Sequence, residues 1–481
     1  MADTEIQTNG DERDELAKLR KEASARISEL TRELVTVLRE LGKQFEERGS
    51  LPKAKECYRR ALKHFPGHAP ALLDLARLLK KDNQLEEALP VYQRLAKLRP
   101  DDETVAKAIA SIMVGLGHEN EGRESLMDYY RRLPWSAHHV NPPGRPQVMI
   151  TRAFDNAYYM IGRKTDAKAQ TRMRGGHFST RYLLDYGHYE TFTATIVDDN
   201  ILRGPTPEHA LLLNTIADVD LDAEDLRTLA TFLERHPDMP VINRPEGILQ
   251  TGRDENYRNF DPIDGVRFPR TERLERGSSN APELAEQVES RGFVYPVILR
   301  ETGSQTGDSL ARIGTHEDMV EYFAASDADS FYVIEFIICP FPENESFYNK
   351  KRIYCIDGQI FPVSSHIDKI WNVHGFNRPE VMAKTPWMMA HEEAFLKDPR
   401  QIMGDKAWNS LTEVTHGIGL DFFGIDFMVT DDGSLLIFEM NAAMRHSFKH
   451  VPLFPYMKPY LEAVSAAFER MVATRLGVAD Q

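Results

Sequence analysis

The chain has 481 residues and a formal net charge of −15, and 42% of its residues are hydrophobic. This length exceeds what one compact core normally reaches, so about two to four domains are expected. The acidic balance argues against a nucleic-acid-binding surface, which needs a clustered basic excess.

The cysteines and the N-terminal residues indicate the cellular compartment in which the protein is expected. Cys57, Cys339 and Cys355 are too scattered for a disulfide framework or a zinc site, which favours a reducing compartment. The first residues, MADTEIQTNGDERDE, are polar and acidic, unlike a signal peptide. No apolar run approaches the roughly 18 residues that suggest a membrane helix. We therefore expect a cytoplasmic protein without membrane contact.

The front of the chain repeats at a fixed period. Residues from about 23 to 134 are rich in Leu, Ala, Lys, Glu and Arg, a composition typical of helices. Four classes of position recur every 34 residues: Ala54 and Ala88; Tyr58 and Tyr92; Gly49, Asn83 and Gly117; Pro66, Pro100 and Pro134. Small residues suit the close approach of two helices, Gly and Asn suit the turn between them, and proline ends the second helix.

This pattern resembles the tetratricopeptide repeat. It gives two clear repeats and a weaker third, in which Gly122 and Leu126 occupy the small and aromatic positions. An ordinary helical bundle with a chance period is the alternative. The resemblance implies a concave surface that binds a peptide or protein, or an array that packs on its own catalytic domain.

After the Pro-rich residues 141–146 the pattern changes to short apolar runs that alternate with helix. The runs are residues 148–151, 192–197, 210–217 and 239–243. A helix is predicted over 221–236, with Asp222 as its N-cap. This alternation predicts a parallel α/β layer of about 100 residues. Arg174–His177 is interpreted as a plain turn.

Later runs are typical of antiparallel strands. They cover residues 293–300, 331–338, 351–356 and 359–363, and two more flank Asp432-Gly433. Asp-Gly favours a two-residue type I′ hairpin, which would place Asp426 opposite Glu439. Asn441 would share a face with Glu439 and lie opposite Gly424.

Two carboxylates that face each other across a hairpin repel one another. The flanking sequence is largely apolar, so the pair is expected to be buried, and a divalent cation is one remedy for such a pair. Carboxylate and amide oxygens are the ligands that Mg²⁺ prefers. The alternative is a solvated edge hairpin whose acids point outward.

The hairpin sequence, GIDFMV…LLIFEMN, and the order of the preceding segments resemble the ATP-grasp superfamily. The resemblance implies an all-α repeat domain, then a pre-ATP-grasp α/β domain, then an ATP-grasp domain. Its predicted boundaries are a flexible segment at 1–22, repeats at 23–143, the pre-ATP-grasp domain at 144–245 and the ATP-grasp domain at 246–481.

Carried onto this sequence, the resemblance implies ATP and Mg²⁺ as cofactors. It implies nucleotide contacts from Arg258, Arg300, Ser304, Glu335, Phe336, Ile337, Lys350 and Arg352. It implies catalytic roles for Arg300, Arg352 and Arg445, and metal binding by Asp426, Glu439 and Asn441. Glu343 or Glu345 would contact the ribose. His366, Lys369, Trp371 and His374 would line an acceptor pocket, or else form a solvent-exposed loop.

At two positions the chain has arginine where the family usually has lysine. Arg300 stands where the family usually has lysine. A second family lysine, upstream, has only Arg253 or Arg258 as counterpart here. Arginine keeps the charge but is bulkier and forked, which leaves open weakened catalysis.

The implied reaction joins a carboxylate to an amine through an acyl phosphate, with small-molecule or peptide substrates. One alternative is a kinase of the same fold. Another is a nucleotide-binding protein with degenerate catalysis, in which the repeats bind a partner.

Overall fold

The structure is a computed structural model that describes residues 2–137, 144–154, 160–163, 169–172, 176–203, 210–304 and 309–478. Its contacts divide the chain into two compact units. One unit is Met1–Tyr129 with Ile161–Arg172, and the other is Tyr130–Met160 with Met173–Gln481.

Six helices open the chain, as the repeat pattern predicted. They are α1 Ala2–Glu47, α2 Leu51–His64, α3 Ala69–Lys81, α4 Leu85–Leu98, α5 Glu103–Gly115 and α6 Glu119–Arg132. The structure continues α1 through residues 2–22, which were expected to be flexible.

The 34-residue period corresponds to pairs of helices. The turn inside each pair is made by Gly49, Asn83 and Gly117, whose φ angles are +73°, +58° and +94°. These are left-handed conformations that Gly and Asn adopt most readily, as predicted. The prolines follow the ends of α2, α4 and α6. Ala54 and Ala88 are fully buried between helices.

A five-stranded sheet follows, in the order β1-β5-β2-β6-β7. Its strands are β1 Trp135–Ala137, β2 Gln147–Ala153, β5 Glu190–Ile196, β6 Leu211–Asn214 and β7 Val241–Ile242, and a separate pair is β3 Met160–Arg163 with β4 Ala169–Arg172. Strands β5, β2, β6 and β7 run parallel, which confirms the α/β prediction. The antiparallel edge strand β1 precedes the predicted boundary at residue 144.

The helix predicted at 221–236 is α7 Val219–Glu234, and its N-cap is Asp218 rather than Asp222. Asp218 accepts hydrogen bonds from the backbone N–H groups of Asp220 and Leu221 at 2.9 and 3.2 Å. Asp222 lies at a kink inside the helix with non-helical angles, and its side chain is buried. The N-cap prediction was therefore wrong by one helical turn.

Two more sheets complete the chain, in the orders β11-β10-β12-β9 and β14-β13-β15-β16-β8. Their strands are β8 Val266–Arg267, β9 Thr271–Glu275, β10 Val297–Glu301, β11 Ala311–Ile313, β12 Ser330–Glu335, β13 Tyr348–Ile356, β14 Gln359–Asp368, β15 Phe422–Val429 and β16 Leu435–Asn441. The helices are α8 Pro245–Ile248, α9 Arg253–Phe260, α10 Ala281–Ser290, α11 His316–Ala325, α12 Pro386–Lys397, α13 Pro399–Met403, α14 Asp405–Gly417 and α15 Lys458–Arg475.

These strands pair antiparallel as predicted, except that β8 is parallel to β16. The strand predicted over 331–338 ends at Glu335, whereas the one predicted over 359–363 continues to Asp368. The fold class, helical repeats followed by mixed α/β sheets, is thus as predicted. No helix in the described ranges has the length and hydropathy to span a bilayer.

Candidate active site

The β15–β16 hairpin pairs Asp426 with Glu439 and Gly424 with Asn441, as predicted. The turn, however, is not the predicted two-residue type I′. Val429 pairs with Leu435, and the register shifts by one residue between Asp426 and Phe427. Only Gly433 in this loop has a positive φ, +77°, whereas type I′ needs two such residues. A bulge at Phe438 restores the predicted acid pairing.

Protein cations already neutralise Asp426, whose side chain is almost fully buried. Arg352, on the neighbouring strand β13, donates from Nε to Oδ1 at 2.6 Å and from Nη2 to Oδ2 at 2.7 Å. Lys350 Nζ lies 3.2 Å from Oδ2. The acid pair is therefore stabilised by cations from the chain itself, so its burial does not by itself require a metal.

Glu439 has its own set of donors. Arg253, at the first turn of α9, places Nη2 2.5 Å from Glu439 Oε1. Asn441 donates from Nδ2 to the same oxygen at 3.1 Å. Four structural elements thus contribute to a single charged cluster.

Both carboxylates remain ionised in this cluster. Burial by itself would raise the pKa of Asp426, but Arg352 and Lys350 hold it well below its ordinary value. Burial opposes ionisation of Glu439 as well, and Arg253 and Arg300 lower its pKa. The cluster therefore holds two anionic side chains at neutral pH.

Arg300 is the fourth cation of the cluster. It lies near the end of β10, is buried, and donates from Nη2 to the backbone oxygen of Ser304. Burial, together with the nearby Arg253, lowers its pKa to about 10, so it is charged at neutral pH. The predicted flap at 303–307 lies partly outside the described residues.

A cleft opens beside these charges. It is lined by Thr251, Arg253, Asn256, Phe268, Pro269, Thr271, Ile334, Ile437, Phe438, Glu439, Met440 and Asn441. One wall comes from β12 and the segment leading into β9, and the other from β16. The lining combines apolar side chains, such as Phe268 and Ile334, with the charged side chains of Arg253 and Glu439.

The predicted nucleotide residues Glu335, Phe336 and Ile337 follow directly on a residue of this cleft, Ile334. The Glu335 carboxylate accepts hydrogen bonds from Arg267 Nη2 at 3.0 Å and from the backbone N–H of Arg270 at 3.2 Å. Phe336 contacts the Trp371 ring edge-on, with 5.2 Å between centroids. None of the three is among the residues that line the cleft.

Arg258 lies elsewhere. It is exposed and pairs with Asp254 and Glu255 of its own helix, so of the two arginines considered for the upstream cation only Arg253 reaches the hairpin. Arg445 is exposed and has no ion pair among the described side chains. The structure therefore places both of these predicted site residues outside the charged cluster.

The predicted acceptor-pocket residues divide into two pairs. His366, on β14 opposite Lys350, is buried, and burial lowers its pKa to about 2. His374 is also held neutral, by burial and by Lys350 and Arg352. Lys369 and Trp371 are exposed. Glu343, a candidate ribose ligand, instead lies 3.4 Å from His391 Nδ1.

One network was missed from the sequence. Asp220, near the start of α7, accepts hydrogen bonds from the Tyr332 hydroxyl at 2.7 Å and from the Gly303 backbone N–H at 3.2 Å. It also pairs with Arg273 of β9. Asp220 therefore fixes the base of the flap, and the only signal in the sequence was an unexplained acid in the first turn of a helix.

The acid cluster has the donor chemistry of a Mg²⁺ site, namely two ionised carboxylates and an amide on one hairpin. In this structure Arg352, Lys350 and Arg253 take the carboxylate oxygens. Among the described residues no three His, Cys, Asp or Glu side chains are grouped to hold a metal. The two carboxylates and the amide therefore have donor atoms that suit Mg²⁺, but the chain's own cations already contact both carboxylates.

A second cavity lies at the carboxyl ends of the parallel strands β2 and β6. Its lining residues are Arg152, His177, Phe178, Ser179, Thr180, Arg181, Tyr186 and Thr215. The Thr180 and Tyr186 hydroxyls are 2.5 Å apart, and His177 Nε2 accepts the Ala153 backbone N–H at 3.1 Å. His177, predicted to lie in a plain turn, thus helps to line a cavity.

Comparison with known proteins identifies the repeats first. Residues 46–112 match the tetratricopeptide repeat family, which confirms that prediction. A search of curated proteins found no match.

Solved structures similar to the chain include a RimK domain protein ATP-grasp from Sphaerobacter thermophilus, at 13% identity and a TM-score of 0.38, covering 67% of this chain and 98% of that one. D-alanyl-alanine synthetase A from Vibrio cholerae is similar at 11% identity and a TM-score of 0.40, covering 69% and 99%. D-alanine–D-alanine ligase from Bacillus anthracis, complexed with ATP, is similar at 11% identity and a TM-score of 0.36. The match covers 67% of this chain and 97% of the ligase.

Proposed function

We propose that this chain is an ATP-dependent ligase of the ATP-grasp type, which joins a carboxylate to an amine. The observation that carries the proposal is the convergence of Arg253, Arg300, Lys350 and Arg352 on two ionised carboxylates beside a partly apolar cleft. Phosphoryl transfer depends on positioning and charge neutralisation, and cations and anionic metal ligands together supply both.

In this proposal the cleft receives the adenine ring. Phe268 and Ile334 line the cleft and offer apolar contact. The backbone of residues 335–337, which follow Ile334 in the chain, would supply donors and acceptors. The triphosphate then extends toward Glu439, where Arg253 and Arg300 exchange their present partners for phosphate oxygens.

Asp426, Glu439 and Asn441 would hold Mg²⁺ together with the phosphates. The ion would neutralise phosphate charge during transfer. Arg352 and Lys350, released from Asp426, would then face the transferred phosphoryl group.

The reaction proposed is a two-step condensation. A carboxylate oxygen of the substrate bonds to the γ-phosphorus of ATP as the bond to the β-phosphate oxygen breaks, giving an acyl phosphate and ADP. The amine nitrogen then bonds to the acyl carbon while the carbon–oxygen bond to phosphate breaks. The products are an amide, phosphate and one proton released from the amine.

We assign an anionic group of one substrate to the cavity at the carboxyl ends of β2 and β6. Arg152 and Arg181 supply positive charge, and the surrounding hydroxyls supply further donors. Ligands of parallel α/β sheets commonly bind at the carboxyl ends of the strands. Phe178, which lines this cavity, packs on Phe422 of the acidic hairpin with 5.0 Å between ring centroids.

A second candidate is a nucleotide-binding protein without turnover. The bidentate Arg352–Asp426 pair favours it, because a metal must displace a strong charge-assisted interaction before it can bind. ATP binding without ADP release across substrate pools would support this candidate against the ligase.

The ligase is tested by ADP release in the presence of pooled carboxylates and amines, with hydroxylamine present to trap an acyl phosphate as a hydroxamate. Arg253→Ala and Arg258→Ala form a matched pair on one helix. We expect Arg253→Ala to weaken ATP binding by about 10-fold or more, as expected for losing hydrogen bonds to a charged group. Arg258→Ala should bind ATP like the parent. Equal affinity in the two variants would contradict the placement of the triphosphate.

A further inference from the structure

Helix α1 exposes a long apolar stripe. Its large members are 40% to 65% exposed, well above what a packed helix face shows: Leu16, Leu19, Ile27, Leu30, Leu34, Val37 and Leu41. The helix spans 46 residues, or about 70 Å at 1.5 Å per residue. Isolated exposed leucines are ordinary, but a continuous row on one helix is not.

The stripe follows a heptad. Counting Ile27 as position a, the a and d positions from residue 16 onward are Leu16, Arg20, Ala23, Ile27, Leu30, Leu34, Val37 and Leu41. Seven of these eight positions are apolar, which is the pattern of a coiled-coil seam. A surface helix that packs only on its own domain has no need for this spacing.

The repeats use a different face of the same helix. Val35 and Leu38 are buried in the hydrophobic core of the repeats. A Cβ atom on Gly42 would lie 2.4 Å from the Tyr58 ring of α2, so the two helices touch there. Packing within the repeats therefore accounts for Val35, Leu38 and Gly42 but leaves the heptad stripe uncovered.

We propose that α1 pairs with α1 of a second copy of this chain, as an antiparallel two-stranded coiled coil. A seam from Leu16 to Leu41 is close to four heptads, or about 39 Å, enough for a specific pair. In the antiparallel register centred between Ser28 and Glu29, Leu16 meets the partner's Leu41 and Ile27 meets the partner's Leu30. The stripe is thus complementary to itself.

Charges decide the orientation. A parallel pair would stack Arg20 on the partner's Arg20 inside the seam, which is unfavourable. The antiparallel register instead places Arg20 opposite the partner's Val37, near the end of the seam, where the long side chain can reach solvent.

The flanking positions agree with this orientation. Arg26 and Glu33 occupy g positions. The antiparallel register brings Arg26 of each copy beside Glu33 of the other, so the same pair forms twice. Arg26 now pairs with Glu29 of its own helix at 2.6 Å, but both side chains are exposed, so that pair is weak and easily exchanged.

The oligomeric state of the full chain tests the pairing. Sedimentation equilibrium should give twice the chain mass of 54.9 kDa. Leu30→Lys with Leu34→Lys should reduce the mass to one chain, whereas Thr36→Lys, on an exposed position off the seam, should leave the dimer intact. Circular dichroism must match the parent for each variant. A parent that stays monomeric at tens of micromolar overturns the proposal, as does a dimer that survives the seam variant.

Disulfide trapping tests the orientation. Leu16→Cys and Leu41→Cys chains, mixed and oxidised, should give a heterodimeric disulfide that neither chain gives alone. The parent, whose three cysteines are free thiols, serves as the background. A disulfide in either single variant alone indicates a parallel pair and overturns the antiparallel assignment. Arg26→Glu should weaken the dimer about 5-fold or more, and adding Glu33→Arg should restore it.

Discussion

Asp426 contacts the cations Arg352 and Lys350 and lies opposite Glu439, so its substitution should affect both folding and binding. Asp426→Asn keeps the shape but leaves Arg352 without its partner in a largely buried position. Breaking a buried pair costs about 3–5 kcal/mol. Because the Arg352 side chain is 29% exposed, we expect a smaller loss in unfolding free energy, about 2 kcal/mol.

The same variant should lose Mg²⁺-dependent ATP binding. Urea unfolding and calorimetry with and without Mg²⁺ measure the two effects separately. Asp431→Asn, in the exposed hairpin loop, is the control and should change neither. Unaltered Mg²⁺-dependent affinity in Asp426→Asn would remove this carboxylate from the proposed metal site.

Arg300 provides a second test at the residue scale. Its guanidinium is buried and held by Ser304 at the base of the flap. Arg300→Ala should weaken ATP binding by about 10-fold or more, whereas Arg300→Lys should keep much of the affinity because it restores a cation. Equilibrium binding of a fluorescent ATP analogue measures both. If alanine and lysine bind as tightly as arginine, Arg300 serves only to hold the loop.

Asp222 gives a pH-dependent test of stability. Burial, with Asp218 nearby, raises its pKa to about 9, and neither carboxylate oxygen has a partner among the described residues. The unfolded side chain loses its proton near pH 4, so between about pH 4 and 9 only the folded state retains it. Stability from this group is therefore complete below about pH 4 and is lost as the pH rises through the folded pKa.

Asp222→Asn cannot ionise, so its stability relative to the parent should rise with pH. We expect the difference to grow by more than about 1 kcal/mol between pH 5 and pH 8. Denaturant unfolding at both values measures it, with the exposed Asp238→Asn as control. A difference that does not depend on pH would show that Asp222 titrates normally.

At the scale of elements, the helical repeats depend on their left-handed turns. Asn83 has a φ of +58°. For a residue without the local hydrogen bonding of Asn, this left-handed conformation costs about 1–2 kcal/mol. Asn83→Ala should lower the free energy of unfolding by about 1 kcal/mol, while Asn83→Gly should equal or exceed the parent. Chemical denaturation of the three proteins gives the order, and equal stability of the alanine and glycine variants would contradict it.

The acidic hairpin shows how one element combines two local effects. Gly433 makes a left-handed turn that shifts the register by one residue, and the bulge at Phe438 shifts it back. Alternation along the strands thus gave the correct partner for Asp426 although the predicted turn was wrong. A bulge of this kind depends on how β16 packs, and no residue pattern marked it.

At the scale of the whole molecule, the strand β1 defines where a stable C-terminal fragment must begin. Thr195 donates its backbone N–H to Pro134 O at 2.9 Å, and Asn200 donates to Tyr130 O at 2.9 Å. A fragment beginning at Gly144 lacks both acceptors and β1, whereas one beginning at Tyr130 keeps them. We expect the longer fragment to melt several degrees higher, because the shorter one leaves buried polar groups unpaired.

Both fragments should still respond to ATP with Mg²⁺, since every residue proposed to bind nucleotide follows residue 250. Thermal unfolding with and without the nucleotide measures both points. We propose that the repeats serve a peptide or protein partner, so their loss should affect recognition and oligomeric state. An insoluble longer fragment would mean that folding needs the repeats.

The sequence by itself determined the features that depend on near neighbours. Helix pairs of 34 residues and left-handed turns at Gly and Asn follow from spacing and backbone preference, and each is present in the structure. Several strands follow as well, although β12 ends earlier and β14 ends later than predicted. The pairing of Asp426 with Glu439 was also predicted from the sequence. The register shift at the turn and the opposite shift at the Phe438 bulge cancel, so the predicted partner is correct.

Tertiary structure decided which distant groups meet. Arg253 and Arg258 are both arginines of α9, so the sequence does not distinguish them. The packing of α9 directs Arg253, and not Arg258, toward Glu439. Arg352 reaches Asp426 across 74 positions of sequence, and Asp220 reaches Gly303 across 83. No local pattern encodes such pairs, because their energy arises only when separate elements are brought together. The direct pairing of these cations with the acids therefore emerged only in the folded chain.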